Sequence, residues 1–307
     1  MALIFFGTPQ FAVPALKALI NEKEDVALVV TQPDKAKGRG HVLSSPPVKD
    51  VALANDIRAI QPPKIRNEDF YKELAEVRPE FIIVVAYGKI LPEEVLRTPK
   101  SGCINVHASL LPKYRGAAPI QWALINGEKI TGVTTMLMDK DLDTGDTLVQ
   151  EALAIEDNDN SETLSAKLSE LGAKTLIETI RGIRAGNVRP MPQSGDATYV
   201  PVLKKEDGRI DWNRNAGDLF NFVRGMYPWP SAFCYLGNEM IKIIKARPLE
   251  GNGIPGRIEK AAKDGLIIGT GQGLLIIEEL QPQGKKPMSS SAFISGRRLK
   301  EGHEKFS

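Results

Sequence analysis

Runs of consecutive apolar residues, separated by helical patterns, constrain the fold of this 307-residue chain more than any other feature. The clearest run is Phe81–Ala86, and Val26–Thr31 is a second, rich in β-branched residues. Because neighbouring side chains of a strand point to opposite faces, such runs are typical of strands buried on both faces of a parallel sheet. The same pattern covers Ile104–Val106 and Val133–Leu137, around a helix predicted at Pro119–Ile125. We therefore predict an α/β fold with a Rossmann-like open, mostly parallel sheet.

The turn after the first predicted strand argues against a bound dinucleotide. It contains one glycine, Gly7, where the pyrophosphate fingerprint needs three. The sequence also lacks the Gly-rich loop ending in Gly-Lys-Ser/Thr that cradles nucleotide phosphates. Its histidines, His41, His107 and His303, and its two cysteines do not have the spacing of a zinc site. We expect no NAD, no ATP and no metal ion.

Composition excludes fibrous, disordered and membrane-spanning classes of protein. Hydrophobic residues make up 42% and charged residues 25%, and no apolar run reaches the roughly 18–20 residues of a membrane span. The first eleven residues have neither the basic region nor the small-residue cleavage site of a signal peptide. Cys103 and Cys234 are too few for a disulfide framework. We expect a cytoplasmic protein, and a monomer because no dimerisation stripe is visible.

A change in composition near residues 186–203 predicts a domain boundary. This Gly-, Pro- and polar-rich stretch follows an amphipathic helix predicted at 160–184. Beyond it, five short β segments with turn signals are typical of a small OB-like β-barrel. We therefore predict a catalytic domain at 1–189, a linker at 190–205 and a C-terminal domain at 206–307.

The positive charge of the chain is concentrated in its C-terminal part. Residues 204–307 hold 17 Lys and Arg against 12 Asp and Glu, whereas the net charge of residues 1–203 is −3. A basic OB-like domain suits contact with RNA phosphates, although ordinary surface charge is the alternative for many of these residues. The candidate contacts are Lys204, Lys205, Arg209, Arg214, Lys285, Lys286, Arg297 and Arg298. For Trp212 and Trp229, packing in a buried interface is favoured over stacking on bases.

Residues 32–47 are rich in Gly, Pro, Ser and basic residues, which predicts an exposed mobile loop without packed elements. Two interpretations remain open. The loop is either a solvated connector or a basic flap that contacts nucleic acid through Lys35, Lys37 and Arg39.

Another stretch places polar residues where catalysis would need them. Asn105 and His107 share one side of a predicted strand near its carboxyl end, where open α/β sheets have their ligand crevices. A tight turn at 138–146 then supplies several carboxylates, including Asp143. A structural interpretation is open for each: a packed histidine, an amide that ties down a strand end and a turn-capping aspartate. Asp139, Asp141 and Asp146 keep the turn interpretation.

These residues belong to recognisable motifs. Asn105-x-His107, Ser109-Leu-Leu-Pro112 and Leu142-Asp-Thr-Gly145 resemble the signature of the 10-formyltetrahydrofolate-dependent formyltransferases. Further blocks resemble those members of the family that act on methionyl-tRNA. The blocks cover residues 33–40, 84–92, 111–128, 203–212, 225–233 and 280–289, so the resemblance spans nearly the whole chain.

The resemblance implies an enzyme that moves a formyl group from N10 of 10-formyltetrahydrofolate to the α-amine of methionine on initiator tRNA. It implies that Asn105 donates to the developing oxyanion and that His107 donates to it or relays a proton. Asp143 would orient His107, hold a bridging water and accept the proton of the amine. This trio has the composition that acyl transfer through a tetrahedral intermediate requires.

The resemblance also implies a slot for the pterin ring of the folate. Its lining would be Ser109, Leu110, Leu111, Pro112 and the backbone of Lys89, Ile90 and Leu91, with the turn at Lys140 and Asp141 closing it. Core packing is the alternative for Leu110 and Leu111.

Other functions remain open. An amino-sugar formyltransferase, which acts on a nucleotide sugar, resembles this chain in size and catalytic motif and is the main alternative. A glycinamide ribonucleotide formyltransferase or a formyltetrahydrofolate hydrolase would lack the C-terminal barrel. A non-catalytic RNA-binding protein would not need Asn105, His107 and Asp143 together.

Overall fold

The computed structural model describes residues 1–37, 42–262, 265–297, 299, 301–302 and 304–307. Its contacts divide the chain into two compact units. The first consists of Met1–Ala117, Ile130–Ala154 and Ser165–Val200, and the second of Ala118–Lys129, Ile155–Leu164 and Pro201–Ser307. Each unit is therefore assembled from segments that are separated in the sequence, and the predicted domain limits at 189 and 206 stay a prediction.

The strands are β1 Leu3–Gly7, β2 Val26–Val30, β3 Lys35–Lys37, β4 Val42–Ser44, β5 Ala59–Ile60, β6 Phe81–Val85, β7 Cys103–His107, β8 Arg115–Gly116, β9 Ile130–Leu137, β10 Thr147–Ala154, β11 Tyr199–Val200, β12 Ala232–Leu236, β13 Glu239–Leu249, β14 Ile258–Ala262, β15 Gly265–Gly269, β16 Leu274–Pro282 and β17 Met288–Ser289. The α-helices are α1 Val13–Asn21, α2 Pro47–Ala54, α3 Glu68–Val77, α4 Glu93–Leu96, α5 Pro119–Ile125, α6 Ser161–Arg184, α7 Ala216–Met226 and α8 Ser290–Ser295. In the described part of the chain, no helix is both long and apolar enough to cross a membrane.

The main sheet of the first unit has seven strands in the order β10-β9-β7-β6-β1-β2-β5. The five strands from β7 to β5 are mutually parallel, and every residue of β6 is buried, as its sequence predicts. This confirms the mostly parallel, Rossmann-like sheet. The parallel interpretation is wrong for Val133–Leu137, because β9 pairs antiparallel with both β7 and β10. A strand that is buried on both faces is apolar whether it pairs parallel or antiparallel. The apolar pattern therefore does not predict the direction of the strand.

Helix α6 packs against one face of the main sheet, where it contacts β7 and β9. Its Gly172 lies so close that a Cβ there would come within 2.9 Å of a methyl carbon of Val106. At its carboxyl end, Arg184 donates to Glu24 and Glu80 at 2.7 Å each, which anchors the helix to the segments that enter β2 and β6. These carboxylates raise the pKa of Arg184. The strand that carries Asn105 and His107 is thus held by packing as well as by its ladder.

The stretch that follows β2 contains regular structure that the sequence analysis did not predict. Lys35–Lys37 and Val42–Ser44 pair antiparallel as the two-stranded β3–β4 sheet, with Lys35 opposite Ser44. Composition alone favoured an irregular loop, since Gly, Pro and Ser dominate it. Backbone pairing needs no apolar core, so a short two-stranded sheet forms despite that composition.

The second unit is built on an antiparallel sheet in the order β12-β13-β16-β15-β14, with β17 added beside β16. Helix α7 lies against this sheet and against α5. The contact with α5 is close, since a Cβ at Gly225 would meet a side-chain carbon of Ile125 at 2.6 Å. Although α5 lies between β7 and β9 in the sequence, it therefore belongs to the C-terminal core.

Both cysteines are buried and unbridged. Burial raises the pKa of Cys103 to about 12 and also raises that of Cys234. Neither thiol is therefore ionised near neutral pH, and both serve as small apolar core groups.

The last four residues join the two outer strands of the second sheet. The N–H of Ile258 in β14 donates to the carbonyl of Glu304 at 3.0 Å, and Tyr235 in β12 exchanges two backbone bonds with Ser307 at 2.8 and 2.9 Å. Between them, the fully buried Phe306 stacks on Trp212 with ring centroids 6.0 Å apart. Burial is thus confirmed for Trp212, which packs in the core of the second unit, and the packing prediction is wrong for Trp229, which is 56% exposed.

We expect Phe306→Ala to destabilise the second unit by about 3–5 kcal/mol, because it removes a buried ring and leaves a cavity beside Trp212. Denaturant unfolding followed by tryptophan fluorescence measures the loss. Lys305→Ala is the matched control, since Lys305 is exposed and adjacent. Equal stability of the two variants would mean that the terminal segment does not hold the sheet together.

Candidate active site

His107 ends β7 and is 6% exposed. Its Nε2 lies 2.9 Å from the carbonyl oxygen of Tyr114. A carbonyl only accepts hydrogen bonds, so Nε2 carries the hydrogen and donates a hydrogen bond to the carbonyl of Tyr114. The ring is thereby oriented by the backbone, and Nδ1 is the nitrogen that remains for chemistry.

The carboxylate of Asp143 faces that remaining nitrogen. Its Oδ2 lies 3.7 Å from Nδ1 of His107, which is too long for a hydrogen bond but within ion-pair distance of a protonated ring. The same oxygen accepts a bond of 2.8 Å from the backbone N–H of Gly116. Asp143 is therefore held by the loop that follows β7 while it faces the ring from the β9–β10 turn.

Local backbone geometry explains the glycines of these two segments. A Cβ at Gly145 would lie 1.7 Å from the carbonyl oxygen of Leu137, and one at Gly116 would lie 2.4 Å from that of Val200. Asp143 itself has a φ of 55°, in the left-handed region that aspartate tolerates better than most residues. Only glycine allows these two close approaches.

Other aspartates of the turn shape it. Asp139 accepts bonds of 2.7 and 2.8 Å from the hydroxyl of Thr144, and its Oδ1 also accepts from the N–H of Asp141. These bonds fit the turn interpretation given to Asp139.

Asn105 lies two residues before His107 and shares its side of β7. Its backbone sits between Val84 of β6 and Met136 of β9, so its position in the sheet is fixed. Its half-buried side-chain amide has no hydrogen-bond partner among the described residues. The amide does not tie down the strand end, and its N–H groups are free for a ligand.

The segment Ser109–Pro112 is held by two residues that the sequence analysis missed. The buried hydroxyl of Thr134 donates to the carbonyl of Ser109 at 2.7 Å and accepts from the N–H of Leu111 at 3.1 Å. The amide of Gln150 donates to the carbonyl of Leu111 at 2.7 Å. A polar residue within the apolar run Val133–Leu137 was the available signal for Thr134.

The other predicted folate residues lie in the segment after β6 and in the Asp143 turn. Lys89–Leu91 follows β6 and Ser109–Pro112 follows β7, and these parallel strands leave the sheet at the same edge. Leu91 and Leu111 are buried, whereas Ile90 is exposed. Lys140 and Asp141 are exposed in the turn that carries Asp143.

The segment before Lys89 is tied to the ends of β1 and β2. Gln32 donates to the carbonyl of Tyr87 at 2.7 Å, and the hydroxyl of Thr8 donates to the same oxygen at 3.3 Å. Three parallel strands thus hold the start of this segment.

The predicted tRNA contacts are on the surface where the structure describes them. Lys35 is exposed and donates to Gln32 at 2.9 Å, and Lys204, Lys205 and Arg209 are exposed in the second unit. Arg39, Arg298 and the side chain of Lys37 lie outside the described residues.

Comparison with known proteins decides the family. A formyl transferase profile matches residues 1–180, and the profile of the formyl transferase C-terminal domain matches residues 202–298. The chain belongs to the formyl transferase family. It is 60% identical over 305 residues to the methionyl-tRNA formyltransferase of Thermodesulfovibrio yellowstonii, covering 99% of each chain. It is 50% identical over 306 residues to that of Caldanaerobacter subterraneus subsp. tengcongensis, covering 98% of this chain and 99% of the relative.

The formyl transferase fold is also shared with solved structures. The N-formyltransferase of Helicobacter canadensis, in complex with folinic acid and dTDP-3-aminofucose, superposes with a TM-score of 0.68 over 90% of this chain and 98% of that one. At 19% identity, this likeness concerns the fold alone.

In this formyl transferase, we expect Thr134→Val to release the Ser109–Pro112 segment. Valine keeps the shape of threonine but leaves the N–H of Leu111 without a partner, a loss of about 1–3 kcal/mol. Hydrogen exchange at the Leu111 amide should become about tenfold faster or more. Thr134→Ser, which keeps the hydroxyl, should restore protection. Unchanged exchange in the valine variant would show that other contacts hold the segment.

Proposed function

We propose that this chain transfers the formyl group of 10-formyltetrahydrofolate to the α-amine of methionyl initiator tRNA, which gives N-formylmethionyl-tRNA. The observation that carries the chemistry is the constellation of a free Asn105 amide, a backbone-oriented His107 and a carboxylate 3.7 Å from its Nδ1. The observation that carries the substrate is the 60% identity, over 99% of both chains, with a methionyl-tRNA formyltransferase.

Asn105 and His107 stabilise the charge that develops during the transfer. The formyl donor supplies the carbonyl that the amine attacks and the nitrogen that leaves. The free N–H of Asn105 donates to the carbonyl oxygen as it becomes an oxyanion. His107 offers only Nδ1, since Nε2 is bonded to Tyr114. A protonated Nδ1 donates to the same oxyanion, and the carboxylate of Asp143 stabilises the positive ring.

Asp143 also accounts for the proton. The attacking amine becomes positively charged as its bond to the formyl carbon forms. The carboxylate of Asp143 takes up that proton and returns it to the leaving nitrogen as the old carbon–nitrogen bond breaks. The proton lost by the amine thus appears on the product folate, and the enzyme ends unchanged.

The residues present fit a folate without any metal. Segments Ser109–Pro112 and Lys89–Leu91 offer backbone groups beside apolar side chains, which suits the edge and faces of a pterin ring. Lys140 and Asp141 lie in the turn that would close over it. Transfer by this trio needs no metal ion, NAD or ATP.

An amino-sugar formyltransferase remains the second candidate, because the fold of the Helicobacter canadensis enzyme is so similar. The much higher identity with methionyl-tRNA formyltransferases favours tRNA. Supplying 10-formyltetrahydrofolate with either charged initiator tRNA or an amino sugar nucleotide separates the two. Formylated methionine is the expected product, and formylated sugar alone would overturn the assignment.

The second unit is proposed to bind the tRNA as a small OB-like barrel. The bonds from Glu304 and Ser307 to both outer strands support closure of its sheet. Lys204, Lys205 and Arg209 would contact phosphates, and Lys35, Lys37 and Arg39 would form a basic flap beside the acceptor stem. A catalytic domain at 1–189, a linker and an RNA-binding domain at 206–307 suit this division of work, in a cytoplasmic monomer.

The flap proposal is separable from the chemistry. Arg39→Ala should raise the KM for tRNA and leave folate affinity unchanged, because a single phosphate contact is lost. Equal tRNA kinetics in variant and wild type would reduce residues 32–47 to a connector.

Replacing any member of the trio should lower kcat by about 10²–10⁴-fold. His107→Ala, Asp143→Asn and Asn105→Ala are the variants, and their affinities for folate and tRNA should change far less, because the lost interactions form in the transition state. Steady-state kinetics with both substrates measure this difference. Asp196→Asn, an exposed carboxylate, is the control and should retain wild-type turnover. An Asp143→Asn enzyme with near-normal kcat would leave Asp143 as a turn residue.

A further inference from the structure

Gln193 lies in the stretch that composition assigns to a linker, yet its side-chain amide forms hydrogen bonds with residues of the candidate active site. Its Nε2 donates to the carbonyl of Asp143 at 2.9 Å and to the carbonyl of Gly145 at 2.8 Å. Both hydrogens of the amide are thereby used on one turn. The peptide units that follow Asp143 and Gly145 are clamped, and with them the backbone that carries the Asp143 carboxylate.

The oxygen of the same amide reaches the other side of the site. Oε1 of Gln193 accepts from Nε of Arg115 at 3.1 Å and from Nη2 of Arg115 at 2.7 Å. Arg115 precedes Gly116, whose N–H donates to the Asp143 carboxylate at 2.8 Å. One side chain therefore links the turn that carries the carboxylate with the loop that holds it.

Neighbouring backbone bonds fix Gln193 in this place. Met191 exchanges two backbone bonds with Thr147 at 2.8 and 2.9 Å, just after the Asp143 turn. Tyr199 and Val200 then pair with Arg115 and Gly116 as the β11–β8 ladder. Residues 191–200 therefore run from one half of the site to the other, with Gln193 between the two anchor points.

We propose that Gln193 is a positioning residue, which fixes the Asp143 carboxylate against Nδ1 of His107 by joining the Asp143–Gly145 turn to Arg115. The proposal rests on the proposed function for its effect on turnover, although the geometry it describes does not. Gln193 acts through Asp143 and need not touch either substrate. Freeing the turn would let the carboxylate drift from the ring, and a misplacement of about 1 Å can cost about 10²-fold in rate.

Two variants separate the two halves of the clamp. Gln193→Met keeps the size of the side chain and removes every hydrogen bond. Gln193→Glu keeps an acceptor for Arg115 but loses both donors to the turn. The matched control is Gln283→Met, because Gln283 is exposed in a turn of the second unit.

The kinetic readout separates kcat from KM. Each substrate, folate or tRNA, is varied in turn while the other is kept saturating. We expect both Gln193 variants to lose about ten- to a hundredfold in kcat with little change in either KM or in melting temperature, and Gln283→Met to match the wild type. In the Asp143→Asn background, Gln193→Met should have almost no further effect, because the group it positions is already gone. Full additivity of the two losses, or a kcat within twofold of wild type, would overturn the proposal.

Amide hydrogen exchange at Gly116 tests the geometry without any assay of activity. Its N–H is bonded to Asp143, so it should exchange about tenfold faster or more in both Gln193 variants and at the wild-type rate in Gln283→Met. If the wild-type enzyme formylated no tRNA, the proposed function would fail while this measurement still decided the role of Gln193. Unchanged Gly116 protection would overturn the positioning role itself.

Discussion

The hydrogen bond from Nε2 of His107 to the carbonyl of Tyr114 is the contact on which the rest of the site depends. It removes one ring nitrogen from chemistry and turns the other toward Asp143. Tyr114 can present its carbonyl there because its backbone adopts a φ of 59° in the loop after β7. A side-chain partner could rotate away from the ring, whereas this carbonyl is part of a folded loop.

Backbone groups play the same part throughout the site. The N–H of Gly116 holds the Asp143 carboxylate, and the hydroxyl of Thr134 bridges the backbone of Ser109 and Leu111. The Asp143 turn is thereby fixed to the loop that follows β7, and the Ser109–Pro112 segment is fixed to β9. The side-chain amide of Asn105 has no hydrogen-bond partner among the described residues, which suits the oxyanion donor that we propose it to be.

The sequence predicts elements whose pattern is local. The buried runs of β6 and β7, the apolar stripe of α6 and the limits of α5 follow from the spacing of apolar residues and from caps or prolines. We predict the catalytic trio because Asn105 and His107 alternate on one strand and because their motifs resemble those of a family.

Other features depend on contacts between distant segments, and no local pattern encodes them. The antiparallel direction of β9, the inclusion of α5 in the second unit and the role of residues 304–307 between β12 and β14 are of this kind. Gln193 was assigned to a linker because its neighbours are Gly, Pro and polar residues, whereas its partners lie about fifty and eighty residues away in sequence. A polar side chain that completes a network is recognised only when the network is seen.

The central claim, that the backbone fixes His107 with Nδ1 toward Asp143, is tested most directly by nitrogen NMR of protein labelled in histidine. The chain has three histidines, and the signals that are lost in a His107→Gln variant are those of His107. In the neutral ring, Nε2 should carry the hydrogen and Nδ1 should show the shift of an unprotonated nitrogen. A His107 ring with its hydrogen on Nδ1, or one that exchanges between both tautomers, would contradict the account.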